Sequence, residues 1–252
     1  MLSVKKLSKR FAEYDAVDSI SLNVDRGEIF GFLGPNGAGK TTTIKMLAGL
    51  LKPDGGRITI NGHDLAKTSE ECKRSTGYIP DRPFLYEKLT GIEFLNFIAS
   101  LYGKENELTE NNAQKLLTLF DLLKWQDYLI ESYSHGMRQK LIITAAFMLE
   151  PPLIIVDEPM VGLDPKSARV VKELFKEHAQ NGGALFLSTH SMEVAEELCD
   201  RITIIVDGKL IASGNLETIR SQAEAEGSSL EDIFLQLTGA FELQEVIKAI
   251  RS

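Results

Sequence analysis

The sequence predicts an α/β fold: a mainly parallel sheet with helices on its faces and a helical lobe inserted between strands. Three observations carry that expectation. Short apolar runs such as EIFGFL, LIIVD and ALFLS recur along the chain among stretches of helical periodicity, the pattern of buried parallel strands joined by crossover helices. The first of these runs leads into GPNGAGKTT, a glycine-rich turn that opens a helix. From about Leu85 to Glu150 the apolar spacing is mostly three and four, as in GIEFLNFIASLYG and NAQKLLTLFDLL, so about 65 residues form a helical lobe.

Taken in order, residues 2–33 read as strands. VDSISLNVD alternates apolar and polar residues, as a half-buried antiparallel strand does, whereas GEIFGFLG is apolar throughout and reads as buried. A helix runs from about Lys40 to Leu50 and stops at the Pro/Gly turn KPDGGR. RITINGHDL gives a strand, a turn and a short strand. After the lobe, PLIIVDEP is a second buried strand. SARVVKELFKEHAQNGG is an amphipathic helix closed by glycines, with Lys172, Lys176 and His178 toward its C-terminal end. ALFLSTH is a third buried strand, and SMEVAEELCD a helix opened by Ser191 with Glu193 and Glu196 in its first turns. RITIIVDGKLIASG reads as a hairpin about Asp207-Gly208. The tail from Asn215 is polar, with a linker at AEAEGSS and an apolar helix at LEDIFLQLTG.

Composition narrows the function. With 252 residues, 43% of them apolar, the chain can bury one large core or a core with an added lobe. A net charge of −8 argues against general nucleic-acid or anionic-membrane binding. Cys72 and Cys199 form no CxxC pair, so they read as thiols of a reducing compartment. No secretory signal is visible at the N-terminus, and the apolar run LIITAAFML is too short to span a bilayer, so direct membrane insertion is not expected.

The chemistry gathers at three strand ends. Gly34, Gly39, Lys40 and Thr41 satisfy G-x-x-x-x-G-K-[ST] between a strand and a helix. In that setting the backbone of Gly34, Pro35, Asn36, Gly37, Ala38 and Gly39 forms an anion nest at a helix N-terminus. Lys40 reaches the β- and γ-phosphates, the Thr41 hydroxyl binds Mg²⁺, and Thr42 is placed for the α-phosphate. A nucleoside triphosphate is therefore the expected ligand. Asp157 and Glu158 follow the second buried strand, at the edge where open α/β sheets bind ligands. Asp157 suits the Mg²⁺ shell, and Glu158, one residue on, suits polarisation of an attacking water. His190 ends the third strand on the same edge and is expected at the γ-phosphate. His63, His135 and His178 lack that context and read as surface or local residues.

The ordered set GPNGAGKTT, YSHGMRQK, LIIVDEP, GLDP and STH resembles the ATP-binding subunits of ABC transporters, over about residues 2–214. The resemblance implies a P-loop NTPase with a RecA-like core, an antiparallel β-subdomain and an inserted α-helical subdomain. It divides the chain into an ATPase domain, 1–214, with the helical subdomain at about 85–150, and a C-terminal helical tail, 215–252. YSHGM stands where the family has LSGGQ, with Ser134 and Gly136 matching and His135 replacing a glycine. If that position needs φ > 0, the histidine costs on the order of 1 kcal/mol or more. The resemblance further implies a head-to-tail dimer, with itself or a similar ATP subunit, in which Ser134 and Gly136 of one subunit face the γ-phosphate held by the other. Asp164 would join the two sites, and Phe11 (Tyr14 as runner-up) would stack on adenine.

Asp81, in GYIPDRPF, occupies the place of the family's loop glutamine and is expected at Mg²⁺ or its waters. RPFLYEKLTGIEFL and the tail SLEDIFLQLTG resemble ATP subunits of the ABC-2 exporter type, whose permease is a separately encoded transmembrane chain. The implied protein is a cytoplasmic ATPase, peripheral on the inner face of the cell membrane, that powers export. The competing reading is a non-transport ABC ATPase, either a soluble assembly scaffold or an ATP-dependent sensor.

Overall fold

In a computed structural model, residues 1–222 and 228–237 are described. The N-terminal alternation makes an antiparallel sheet. β1 (Leu2–Phe11) pairs with β2 (Tyr14–Val24) on one side and β4 (Gly55–Ile60) on the other, and β5 (His63–Asp64) completes the order β2-β1-β4-β5. The continuous apolar runs make the larger sheet. It contains β3 (Ile29–Leu33), β6 (Thr76–Ile79), β7 (Leu153–Asp157), β8 (Ala184–Ser188), β9 (Arg201–Val206) and β10 (Lys209–Gly214) in the order β10-β9-β3-β8-β7-β6. All its neighbours are parallel except the β9–β10 hairpin.

β3, β7 and β8 are buried along their whole length because both faces are covered. Ile154, Val156, Leu185 and Leu187 point into a core shared with the lobe helices, while Leu153, Ile155, Ala184 and Phe186 point into one shared with the antiparallel sheet. The lobe leaves β6 and re-enters at β7. It holds α3 (Gly91–Leu101), α4 (Glu107–Leu119) and α5 (His135–Phe147). A capping box at Thr90 and Glu93 starts α3. Next to it, Phe84, Tyr86 and Phe97 form an exposed aromatic row, with ring centroids 6.4 Å and 5.4 Å apart, and Phe84 is 84% exposed.

α1 (Lys40–Leu47) ends three residues before the expected Leu50, because Gly49 turns to φ +69 and breaks the helical path. Two elements were not anticipated: the six-residue α2 (Ser69–Arg74) and β6, the edge strand that carries the chain to Asp81. α6 (Pro165–Gln180) and α7 (Met192–Leu198) follow β7 and β8. The tail helices α8 (Leu216–Gln222) and α9 (Leu230–Leu237) set Ile219, Leu230 and Ile233 into a third core with Leu33, Ala195 and Ile204. Most of the expected linker at 223–229, and the tail beyond Leu237, lie outside the described residues.

Candidate active site

The C-terminal ends of β3, β7 and β8 open on one cavity of about 430 Å³. Phe11, Asn36, Gly37, Gly39, Lys40, Thr41 and Thr42 line one side, and Asp81, Asp157, Glu158 and His190 the other. Tyr14, Ala16 and Val161 complete the wall.

The loop after β3 is shaped by close backbone approach. A Cβ on Gly34 would stand 2.3 Å from the Ile205 carbonyl, and one on Gly39, at φ +107, would stand 2.3 Å from the Ala16 carbonyl. Only glycine lets the loop lie this close to β9 and β2. Ala38 is buried and its carbonyl accepts the Gly208 N–H at 3.0 Å, which ties the loop to the β9–β10 turn. Tyr14 donates its hydroxyl to the Gly37 carbonyl at 3.0 Å, an anchor invisible to the loop's own spacing. Lys40 is 8% exposed, and its ammonium donates to the carbonyls of Gly34, at 2.6 Å, and Pro35, at 3.1 Å. Burial lowers its pKa, against the charges of Glu158 and Asp157, which raise it.

Three carboxylates, Asp81, Asp157 and Glu158, line the cavity with Lys40. Asp157 is 4% exposed, and the Thr41 hydroxyl stands 3.4 Å from its Oδ2. Burial raises the Asp157 pKa, and the charges of Glu158 and Asp81 raise it further. The same Asp157 and Asp81 charges add to burial in pushing the Tyr78 hydroxyl up to about 12. Asp81 lines the same cavity. Hard oxygen donors beside a phosphate cradle suit a small divalent cation. Among the described residues no three His, Cys, Asp or Glu side chains stand close enough to hold a metal unaided.

Glu158 sits at φ +50, an unusual conformation for a side chain of this size, and its N–H donates to the Ser188 carbonyl at 3.0 Å. The turn carries the carboxylate back over the strand ends. There Oε1 meets His190 Nδ1 at 2.8 Å and Oε2 accepts the Thr189 hydroxyl at 3.2 Å. Thr189 belongs to the STH stretch but had no assigned role.

The remaining expected residues are elsewhere. Ser134 caps α5 by accepting the Met137 N–H, and Gly136 follows in its first turn. Asp164 caps α6 through Ser167 and pairs with Lys140 at 3.0 Å; the Ser167 hydroxyl, its N–H and Lys140 all hold the carboxyl well below its usual range. None of the three lines the cavity. The strain considered for His135 is absent: it is the first residue of α5 and is not among the positive-φ residues. The positive φ of this region falls instead on Gly162, where a Cβ would meet the His135 ring at 2.3 Å.

An α/β sheet whose strand ends meet an anion nest and a buried lysine is built to bind and cleave a nucleoside triphosphate, and the chain is a P-loop NTPase. Residues 17–161 match the family model described as ABC transporter. The chain belongs to this family, as an ATP-binding unit that hydrolyses ATP. It is 37% identical to the ABC-type transporter ATP-binding protein EcsA of Bacillus subtilis (strain 168), over 94% of this chain and 96% of that one. It is 38% identical to the daunorubicin/doxorubicin resistance ATP-binding protein DrrA of Streptomyces peucetius, over 82% of this chain and 62% of that one. A solved ATP-binding subunit of an ABC transporter superposes with a TM-score of 0.91 at 40% identity, covering 94% of this chain and 99% of the other. A dimeric ATP-binding cassette in a post-hydrolysis state shares the fold, with a TM-score of 0.77 at 24% identity over 86% of this chain and 99% of that one.

Proposed function

We propose that this chain hydrolyses ATP in a head-to-tail pair of ATP subunits and thereby powers export through a separately encoded transmembrane subunit. The observation that carries the proposal is the convergence of Lys40, Thr41, Asp157, Glu158 and His190 in one cavity, with Asp81 at its rim and the exposed row Phe84, Tyr86 and Phe97 just beyond. A contiguous exposed aromatic row of this kind suits docking of an amphipathic cytosolic helix of a permease. Among the described residues no helix is long and apolar enough to cross a membrane, and in this reading the permease supplies the span. Relatives named for drug resistance and drug export support the direction. The chain would then work at the inner face of the cell membrane, with 1–214 as the ATPase domain, about 85–150 as its helical subdomain and 215–252 as a tail.

In this reading the nest from Gly34 to Gly39 and Lys40 hold the β- and γ-phosphates, Thr42 reaches the α-phosphate and Phe11 stacks on adenine. Thr41 and Asp157 hold Mg²⁺, with Asp81 toward its waters. When bound, Mg²⁺ supplies positive charge to phosphate oxygens as they gain negative charge. Glu158 orients a water for in-line attack on the γ-phosphorus and takes up its proton as the bond from that phosphorus to the β–γ bridging oxygen breaks and ADP leaves; the proton then departs with the phosphate or to solvent. His190, fixed by Glu158, orients the γ-phosphate. Ser134 and Gly136 offer their donors to the partner subunit's nucleotide, and Asp164 lies at the contact between the two sites.

Isolation of the chain from native membranes should bring down a polytopic membrane protein, and that protein should raise ATP turnover. Recovery with soluble partners alone would refute the exporter reading.

A further inference from the structure

His190 is poorly held by its own packing. Its side chain is 67% exposed, and its one close polar partner is Glu158, 2.8 Å away. What fixes it is backbone. β8 ends two residues before it, and the Ser191 N–H donates to the Thr189 hydroxyl at 3.0 Å. Ser191 then caps α7, so His190 stands directly ahead of that helix.

α7 has only seven residues and too few turns to hold itself in place. The tail supplies the missing support. Glu196, on α7, accepts the Leu230 N–H at the start of α9 at 2.8 Å and stands 3.9 Å from Arg220 of α8. Arg220 in turn donates to the Ser228 carbonyl at 3.1 Å, which holds the two tail helices together. Beneath these contacts Leu230 and Ile233, both fully buried, pack with Ala195 of α7 and with Leu33, the last residue before the phosphate loop. The tail thus bears on the strand end that begins the phosphate loop and on the helix that carries His190.

We propose that Glu196 is a positioning residue for ATP hydrolysis: by fixing α9 on α7 it holds His190 against Glu158. The inference rests on the reading above that Glu158 and His190 act in hydrolysis. Glu196 touches no wall of the nucleotide cavity. Its loss changes the rate while leaving nucleotide binding alone.

The test is steady-state phosphate release by the purified full-length chain with ATP and Mg²⁺, together with ATP binding and thermal unfolding. Glu196→Ala removes the acceptor and should lower kcat about fivefold or more, the scale of one ordinary lost hydrogen bond, with KM for ATP unchanged within about twofold. Glu196→Gln keeps an acceptor oxygen for the Leu230 N–H and should recover most of the rate. In a His190→Ala background, Glu196→Ala should cause no further loss, because the group it positions is gone. An equal loss of kcat in that background, or wild-type kcat for Glu196→Ala, overturns the proposal. Wild-type kcat for His190→Ala alone would instead overturn the role given to His190. Ile233→Ala, which loosens the same helix from below, should reproduce the Glu196→Ala phenotype; unchanged kcat there counts against the tail.

Discussion

Glu158→Gln isolates the hydrolytic role of the second acid with little change of shape. Glutamine keeps an oxygen that can accept the Thr189 hydroxyl, held at 3.2 Å in the native site, and the backbone bond to Ser188 at 3.0 Å is untouched. What is lost is the charge that meets His190 Nδ1 at 2.8 Å and the ability to take a proton from water. A positioned general base contributes about 10²–10⁴ in rate, so kcat should fall by that factor, equivalent to about 2.7–5.4 kcal/mol of barrier. ATP binding should survive, because Lys40 and the loop carbonyls it contacts are untouched. Removing one carboxylate also removes repulsion toward an incoming polyphosphate. The assay is phosphate release paired with equilibrium nucleotide binding, and size-exclusion chromatography with ATP should show a trapped dimer. Wild-type turnover by this variant would remove Glu158 from the mechanism. Loss of ATP binding would mean that its charge serves binding and not turnover.

Asp157→Asn should trade activity for stability. The carboxyl has a raised pKa in the fold, so its proton-bound form is favoured there. The associated stability is present below the ordinary carboxylate range and is lost as pH rises through the raised value. The nucleotide-free Asn variant should therefore melt higher than the native chain at neutral pH, by about 2–4 °C for each ~1 kcal/mol relieved, with the difference shrinking toward pH 4. Its Mg²⁺-dependent turnover should collapse, and an unchanged melting profile across pH would contradict the burial argument. Asp81→Gln removes one of the charges that act on Asp157 and should raise the Mg²⁺ concentration needed for half-maximal turnover, with ATP binding intact. If neither Mg²⁺ dependence nor stimulation by a membrane partner changes, Asp81 has no part in the site. Gly34→Ala places a methyl 2.3 Å from the Ile205 carbonyl, whereas Gly37→Ala meets nothing within 4 Å and suffers only from its φ of +83. Urea unfolding should show the first losing about 1–3 kcal/mol by overpacking, together with weakened ATP binding, and the second losing about 1–2 kcal/mol with milder effects on binding. The reverse order would mean that backbone conformation, not contact with β9, dictates the loop.

Much of the site was legible because its residues follow one another along strand ends. β3, β7 and β8 are apolar on both faces, so their runs stand out, and a residue just past such a run falls on the binding edge. β6 did not stand out. Its four residues, TGYI, are too short and mixed for any period, and the helix before it has only six residues. The contacts that refine the site were equally hidden. Tyr14 reaches Gly37 only because β2 folds over the loop, and Val161 joins the wall only through the turn after Glu158. The condition set for His135, a positive φ, is not met, because α5 begins at that residue, and its ring packs instead against Gly162, a residue distant along the chain.

The left-handed turn at Glu158 has a consequence for how this chain can change. Aspartate, asparagine or glycine sits more easily at such a φ than glutamate, and glycine would relieve about 1–2 kcal/mol of steric strain, less some backbone entropy. The fold by itself would let residue 158 drift toward a small turn-former. Under the proposed mechanism only turnover would favour glutamate there, which would make position 158 a record of use. A descendant of this chain that had kept the loop around Lys40 but ceased to cleave ATP would be free to lose its glutamate first.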